Sequence, residues 1–472
     1  MRPAAPAVGG YENGPVPLPA PGGSDPAQRF ADRAAVAQQW WEAFQSPALA
    51  ETLTLALAGS PTLASAQATL AQAEELVVAA RAGYLPQIDA SLAGSREHEV
   101  SLTGGSSTSG RRGTSVGSSL VTNMFSVGAL MSYTPDLFGR NRRTVEQQAA
   151  LAETQRYQLG AAYLTLTAEA VSQALTIATT LAEIKATQDI IAADEHNLEL
   201  VRVSFEAGLV ARTDVLSAES QLAGDRTLLP PLEQQLSVAR HALSVIAGKT
   251  PAEWTPPDFE LDALALPGLL PVSIPSELVH DRPDILAAEA QLHAASAAIG
   301  VATAQLYPSL TISPAWALQA VATGGPVAAP SILAGIAGSL TQPLFHGGAL
   351  QAQRRGAVDA YEAQLGTYRQ TVLVAFGQVA DVLRALEHDA ELLGAESAAV
   401  TSSAASLELA QEAYAAGRGT LVQVLDAQRL SAQALLGYAR ARGQRYLDTA
   451  LLFEAMGGAA QSWLQARAEA AR

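Results

Sequence analysis

A heptad pattern of apolar residues is the strongest signal along the chain. Steps of four and three residues, taken alternately from Val372 to Tyr414, meet 13 positions, of which 11 are apolar. A seam of this kind over six heptads is typical of long helices packed as a coiled coil. It predicts one helix over about 351–415, roughly 90 Å long at 1.5 Å per residue. Helical patterns also run over about 141–207 and 214–247.

A second pattern, with a period of two, interrupts the helical one. Ile88, Ala90 and Leu92 alternate with polar residues, and a similar alternation returns over 125–133. Alternation of this kind predicts half-buried strands. The Ser-, Gly- and Thr-rich stretch 101–119 between them predicts a long loop. The second half of the chain repeats the alternation, with apolar residues at Leu310, Ile312, Trp316 and Leu318.

The chain contains two copies of one unit. Four pairs of similar segments occur in the same order, centred on Pro61 with Pro283, Pro86 with Pro308, Leu137 with Leu344, and Gly208 with Gly417. Their offsets are 222, 222, 207 and 209 residues. Self-similarity at one spacing indicates a repeated architecture, and a period above 200 residues indicates a duplicated domain rather than a solenoid.

The repeat predicts an α+β membrane protein in which each copy is a short helix, two strands and two long helices. Five regions follow: an extended N-terminal segment (1–39), a first repeat (40–250), a linker (251–275), a second repeat (276–457) and a C-terminal tail (458–472). The first repeat contains a hairpin (about 86–137) and long helices (about 141–247). The second contains a hairpin (about 308–345) and long helices (about 349–456).

Composition narrows the possible functions. A net charge of −16 and a pI near 4.9 argue against nucleic acid as a partner, because nucleic acid requires a basic face. The absence of cysteine excludes disulfides, a thiolate nucleophile and a zinc–thiolate site. The chain contains no run of about 18 uninterrupted apolar residues, so the sequence predicts no transmembrane helix. The chain as printed opens without a recognisable export signal, so we expect either a cytoplasmic protein or a shortened or processed start.

The four predicted strands are too few to close a barrel. An open sheet leaves unpaired edges, which neighbouring copies could satisfy. A cyclic trimer would give an even-numbered barrel of twelve strands, and strands of 10 to 15 residues with one apolar and one polar face fit the transmembrane barrel pattern. The strand pattern therefore favours a membrane barrel that is closed between neighbouring copies of the chain.

Several motifs carry a resemblance to a known family over nearly the whole chain. They are Ala7-Val8-Gly9, Tyr11, Trp40-Trp41-x-x-Phe44, Asp136-Leu137-Phe138-Gly139-Arg140-x-Arg142-Arg143, Arg282-Pro283-Asp284-Ile285 with Ala288-Glu289, Gln342-Pro343-Leu344-Phe345-x-Gly347-Gly348, Tyr368-Arg369 with Phe376, and Val424-Leu425-Asp426-Ala427-Gln428-Arg429. Together these motifs resemble the TolC/OprM family of bacterial outer-membrane efflux channels, in particular the NodT-type lipoproteins paired with RND transporters.

The resemblance implies a homotrimer with a 12-stranded β-barrel in the outer membrane, continuous with a 12-helix α-barrel in the periplasm. It implies a passive exit duct that docks through a periplasmic adaptor to an inner-membrane RND transporter, with no cofactor, no metal and no catalysis. The family's lipidated cysteine would fall near Pro6, and neither it nor a signal peptide is present in the printed chain.

The resemblance also indicates where function resides. The helix–turn–helix corners at 205–216 and 414–426 would form the constricted periplasmic end. Asp214 and Asp426 match the family's tip aspartates, and Arg429 matches an arginine near the gate. Threefold symmetry would bring three copies of each carboxylate around a narrow bore, which attracts cations. Asp214 also suits a helix N-terminus, so helix capping is an alternative role for it.

Four further residues belong to the predicted tips. Gly208 and Gly417 fit tight turns that need a positive φ. Arg212 and Arg418 are predicted as exposed turn charges, with contact to the adaptor as a further interpretation.

The sequence leaves three alternative functions. An enzyme has little support, because Gly248-Lys249-Thr250 lacks the first glycine of a phosphate loop and the serines lack a Gly-x-Ser-x-Gly elbow. The channel of a type I protein secretion system is the alternative use of the same duct. A coiled-coil scaffold without a membrane accounts for the helices but leaves the two hairpins unexplained.

Overall fold

The computed structural model describes residue 11 and residues 28–32, 36–100, 119–323 and 329–470. The loop predicted within 101–119 lies almost wholly outside these residues. The described chain divides into two compact units, each built from segments of both predicted repeats. Unit 1 comprises Met1–Ala71, Glu153–Ala290 and Leu365–Arg472, and unit 2 comprises Gln72–Ala152 and Gln291–Gln364.

The first half of the chain begins with a short strand and a 3-10 helix at Trp40–Phe44. Its elements are β1 (Arg29–Asp32), α1 (Pro47–Gly59), α2 (Pro61–Ala82), β2 (Gln87–Val100), β3 (Ser119–Ser132), α3 (Arg140–Glu206), α4 (Arg212–Arg226) and α5 (Leu229–Ile246). Helix α3 has 67 residues, the length that the unbroken helical pattern from Asn141 predicts.

The second half repeats this order. After a 3-10 turn at Leu261–Ala263 come β4 (Leu269–Val272), α6 (Pro275–Asp281), α7 (Pro283–Ala304), β5 (Ser309–Thr323), β6 (Ser331–Thr341), α8 (Ala349–Ala415), α9 (Leu421–Ala455) and α10 (Ala460–Ala470). Helix α8 also has 67 residues. Its predicted seam is buried at Val372, Val379, Leu383, Leu386, Ala390 and Leu393, and becomes half-buried or exposed beyond Leu393.

Unit 2 contains one four-stranded antiparallel sheet in the order β2-β3-β5-β6. The two predicted hairpins are joined edge to edge, because β3 pairs with β5 over Thr122–Leu130 and Ala315–Thr323.

Asp136 caps the start of α3, the helix that follows the first hairpin. Its two carboxylate oxygens accept the backbone N–H groups of Asn141 and Arg142 at 3.1 and 2.8 Å. Phe138 stacks on Tyr307 with ring centroids 5.0 Å apart.

The register places most of the large apolar residues of the four strands on one face of this sheet. Directly paired residues in neighbouring strands point to the same side, and the pairs include Leu92 with Val127, Val127 with Leu318, and Leu318 with Ile332. This face, called the apolar sheet face below, carries Ile88, Leu92, Phe125, Val127, Met131, Leu310, Ile312, Trp316, Leu318, Ile332, Ile336 and Leu340. Several of these side chains are largely exposed in the protomer, such as Leu92 (80%) and Ile336 (76%).

The core of unit 1 is built around aromatic residues from the two ends of the chain. Trp40, Trp41 and Phe44 are buried, and Trp40 stacks on Phe453 with centroids 5.3 Å apart. Tyr163 stacks on Trp463 at 4.3 Å. Aromatic pairs add to the stability that their buried area already provides.

The predicted second helix of the first repeat, over 214–247, is wrong in one respect, because it is two helices. Helix α4 ends at Arg226, where the N–H groups of Thr227 and Leu228 bond three residues back, to Gly224 and Asp225. Helix α5 then begins with Pro230 and Pro231 in its first turn. A proline has no N–H group to continue the ladder and is tolerated only at a helix start.

Three segments for which the sequence predicts no regular secondary structure contain a strand or a helix. Within the predicted extended segment 1–39, β1 pairs in parallel with β4, which lies in the predicted linker 251–275. Residues 460–470 of the predicted tail form helix α10. Strands of four residues are too short to show a period, so the pairing could not be anticipated.

One helix among the described residues, Pro283–Ala304, is long and apolar enough by length and composition to cross a membrane. The sequence test for an uninterrupted apolar run misses this helix because Asp284, Glu289 and His293 interrupt the run. Within this helix Ile285, Leu292 and Ala297 are buried in the protein.

Candidate functional site

The turn between α3 and α4 is closed by a glycine in the left-handed conformation. Gly208 has φ 76°, and its N–H bonds the carbonyl of Phe205 at 2.9 Å. The next N–H, of Leu209, bonds the carbonyl of Ser204 at 2.9 Å. These two bonds define a Schellman motif, which satisfies the last carbonyls of the helix and needs a residue without Cβ at the glycine position.

The turn between α8 and α9 has the same construction. Gly417 has φ 68°, and its N–H bonds Tyr414 at 2.9 Å, while the N–H of Arg418 bonds Ala413 at 2.8 Å. The two glycines are 209 residues apart, the offset at which the sequence repeats. The interpretation of both glycines as tight-turn residues is therefore confirmed by their backbone geometry.

Asp214 closes the first turn of the helix that follows. Its Oδ2 accepts the backbone N–H of Ala211 at 3.0 Å, three residues earlier. Gln423, at the offset of 209, does the same in the second turn, with Oε1 accepting the N–H of Thr420 at 2.9 Å. A side chain that reaches back to the N-cap N–H is half of a capping box, and Thr420 supplies the other half by accepting the N–H of Gln423.

Asp426 lies deeper in its helix and makes a different contact. Its Oδ1 accepts a hydrogen bond from Nη2 of Arg429 at 2.5 Å, one turn further along α9. The two side chains are 60% and 48% exposed. An exposed ion pair of this type contributes little to stability, about 0–1 kcal/mol. Asp426 is therefore not needed to cap a helix, and its carboxylate faces solvent in the protomer.

The two turns lie side by side. The charge of Asp214 acts on Tyr414, where burial first and the Asp214 carboxylate second raise the pKa of the phenol. Further from the turns, the Nδ2 of Asn197 on α3 donates to Oε1 of Gln428 on α9 at 3.0 Å. Both predicted arginines, Arg212 and Arg418, are exposed at the turns.

Ion pairs that join α3 to α4 were missed by sequence reasoning. Arg202 donates to Glu219 at 2.7 Å and Arg226 donates to Glu195 at 2.6 Å. The partners are 17 and 31 residues apart and lie on antiparallel helices, so no local spacing marks them.

No cluster of three or more metal-ligating side chains is found among the described residues. Gly248, in the segment that resembles a phosphate loop, has φ 72° and ends α5. The interpretation of this segment as a helix C-terminus is confirmed.

Comparison with known proteins identifies the family. A family model described as "Outer membrane efflux protein" matches residues 52–249 and 274–458. The chain belongs to the outer membrane efflux protein family. It is 30% identical over 428 residues to the pyoverdine export outer membrane protein OpmQ of Pseudomonas aeruginosa, covering 90% of this chain and 88% of that protein.

Two other known proteins are similar to this chain in sequence or in fold. The toluene efflux pump outer membrane protein TtgC of Pseudomonas putida is 27% identical over 473 residues, covering 97% of this chain and 91% of its own. The solved structure of the outer-membrane channel OprN superposes with a TM-score of 0.83 at 26% identity, covering 96% of this chain and all of that one.

Membership confirms the expected class of function, an efflux protein of the outer membrane. It is a family of transport proteins. The resemblance of the motifs to the TolC/OprM channels is confirmed as well, whereas the roles predicted for individual tip residues stay predictions.

Proposed function

We propose that three copies of this chain close into one duct whose 12-stranded barrel spans the outer membrane. The observation that carries this proposal is the apolar sheet face, which a single protomer leaves exposed. A contiguous apolar surface on an otherwise folded protein marks a contact with lipid or with another protein. In a barrel this face would turn to lipid and the opposite, largely polar face would line the bore.

The edges of the sheet support closure between copies. Strands β2 and β6 each have one neighbour in the described sheet, β3 and β5 respectively. An unpaired edge exposes backbone N–H and C=O groups, and within a bilayer each of these groups must be hydrogen-bonded. Pairing of β6 from one copy with β2 of the next would satisfy both edges and close the sheet after three copies.

The long helices support a duct that continues into the periplasm. Helices of 67 residues are about 100 Å long at 1.5 Å per residue. On α8 the seam is buried as far as Leu393 and half-buried or exposed from there toward the turn. In the proposed 12-helix barrel, neighbouring copies would cover this remaining part of the seam.

The proposed partners follow from the class of system. We infer a periplasmic adaptor that contacts the turns around Gly208 and Gly417, including Arg212 and Arg418, and an inner-membrane RND transporter that drives efflux. Two relatives named for pyoverdine export and toluene efflux favour small molecules as the transported class. Protein export by a type I system stays the alternative, and no observation favours it.

Introduced cysteines give a direct test of closure, because the 472 residues of the chain include no cysteine. Ser91→Cys in β2 combined with Ala337→Cys in β6 places two thiols on opposite edges of the sheet. A short thiol crosslinker applied to the protein in outer membranes should give a ladder that ends at three linked chains.

The matched control uses two residues paired inside the sheet. Ser126→Cys with Gln319→Cys joins β3 to β5, which are in register, and should crosslink only within one chain. Exclusively monomeric products from the edge pair, with efficient internal crosslinking in the control, would refute the proposed closure.

A further inference from the structure

Two aspartate pairs in unit 1 join antiparallel helices and lie apart from the turns. Asp194 on α3 is 4% exposed and has Asp225 of α4 within hydrogen-bonding reach. Asp389 on α8 is 8% exposed and has Asp448 of α9, also 8% exposed, within the same reach. Ionised carboxylates only accept hydrogen bonds, so two of them can bond to each other only when one carries a proton.

The second aspartate of each pair is held in the same way. Nε2 of Gln221 donates to Oδ2 of Asp225 at 2.7 Å, four residues along α4. Nε2 of Gln444 donates to Oδ2 of Asp448 at 3.1 Å, four residues along α9. The two arrangements are not related by the 209-residue repeat, since Asp194 and Asp225 correspond to Ser403 and Ala434. The same chemistry therefore occurs twice at different heights of the helices.

In the part of the chain that the structure describes, no positively charged group lowers the pKa of Asp194, whereas at Asp389 the buried Arg445 partly offsets the negative charge. Oδ2 of Asp194 and Oδ2 of Asp389 are buried and have no hydrogen-bond partner among the described residues. A buried, unpaired carboxylate is strongly disfavoured, whereas the neutral acid can donate to its neighbour.

We propose that each pair holds one proton between its two carboxyl groups. The resulting carboxyl–carboxyl hydrogen bonds, called the clasps below, would join α3 to α4 (Asp194 with Asp225) and α8 to α9 (Asp389 with Asp448). Loss of the proton would place two negative charges against each other in a buried site. The clasps therefore release when pH rises.

The expected pH range follows from the buried member of each pair. Burial, the hydrogen bond that the neutral Asp194 donates to Asp225, and the charge of Asp225 raise the pKa of Asp194 to about 7. Burial and then Asp448 raise the pKa of Asp389 to about 8, against the opposing charge of Arg445. Both lie above the ordinary aspartate value near 3.9 that applies after unfolding. The folded state thus binds the extra proton, and its stability falls as pH rises from about 4 to about 8.

Other charged groups near the pairs must be separated from this effect. The ion pair of Arg226 with Glu195 flanks the first clasp, and Arg445 lies at the second. His388 and His196 neighbour the buried aspartates in sequence and are exposed, and Nδ1 of His388 lies 3.2 Å from Oε2 of Glu391. Histidine titrates in the same range, so the measurements include a His388→Asn background.

The test uses the full-length protein in detergent. Infrared spectra of the wild type at acid and alkaline pH should show a protonated carboxyl C=O band that disappears as pH rises through about 7 to 8. Asp194→Asn and Asp389→Asn should each remove part of this band, because the amide can donate to the partner carboxylate without titrating. Exposed aspartates on the same helices supply controls, Asp189→Asn and Asp381→Asn, which should keep the whole band.

Thermal unfolding supplies a second readout. The wild-type midpoint should fall on going from pH 5 to pH 8, and the double variant Asp194→Asn/Asp389→Asn should lose most of that fall while both control variants keep it. Absence of the carboxyl band in the wild type at acid pH, or an unchanged pH dependence in the folded double variant, would overturn the proposal. Neither result would bear on trimer closure, which the crosslinking experiment measures.

Discussion

At the scale of single residues, the tip carboxylates divide into two kinds. The carboxylate of Asp214 accepts a hydrogen bond from the backbone N–H of Ala211. In the other turn the neutral amide of Gln423 accepts the equivalent bond from Thr420. Asp426 instead forms an ion pair with Arg429 on the surface of α9. Of the three predicted gate residues, Asp426 and Arg429 are therefore better placed than Asp214 to act on ions.

Opposite substitutions within this ion pair should have opposite effects. In planar bilayers, Asp426→Ala should make the channel less cation-selective, since three carboxylates leave the proposed bore and three guanidinium groups stay. Arg429→Ala should make it more cation-selective for the converse reason, because charged rings set selectivity in pores. The change in reversal potential under a salt gradient measures both.

The exposed Asp381 of α8 offers the control for this pair. Asp381→Ala removes the same charge away from the turns and should leave the reversal potential unchanged. If Asp426→Ala and Asp381→Ala behave alike, Asp426 has no role at the constriction.

At the scale of elements, sequence reasoning worked where a pattern was long. The 67-residue helices and the long strands carry their period over many residues, and the glycines that end α3 and α8 are marked by residue type alone. The β1–β4 pairing, the aspartate pairs and the ion pairs of α3 with α4 depend on contacts between distant segments. No local period encodes such contacts, because they arise only after the helices have packed.

The break between α4 and α5 is the clearest difference between the two repeats. Pro230 corresponds at the offset of 209 to Ala439, which is buried within the continuous helix α9. Ala439→Pro should destabilise the protein by about 3 kcal/mol or more, since it removes a helical hydrogen bond and places a ring against the preceding turn. Thermal unfolding in detergent, together with the yield of folded protein, measures this effect.

The reverse substitution supplies the matched comparison. Pro230→Ala restores an N–H group at a helix start that already accommodates proline, so its effect should stay within about 1 kcal/mol. Equal losses from the two substitutions would mean that the break in the first repeat is as constrained as the continuity of α9.

At the scale of the whole molecule, the register of the sheet decides which side of each strand meets which environment. Ile336 and Ala337 are neighbours in β6, yet Ile336 pairs with Pro314 and belongs to the apolar sheet face, while Ala337 pairs with Ser313 on the other side. Both belong to a strand that is exposed along its whole length in the protomer. In the proposed barrel, lipid on one side and water on the other would distinguish two such positions.

A lysine placed at each position in turn tests this difference. Ile336→Lys should cost about 2–4 kcal/mol if the residue lies near the middle of the bilayer, because a charge on the lipid side of a barrel strand is destabilising there. The amount of trimer recovered from outer membranes should therefore fall sharply. Ala337→Lys should assemble normally and shift the channel toward anions, since three added positive charges would line the bore. Equal recovery of both variants, with no change in ion selectivity from Ala337→Lys, would remove the case that the apolar sheet face meets lipid.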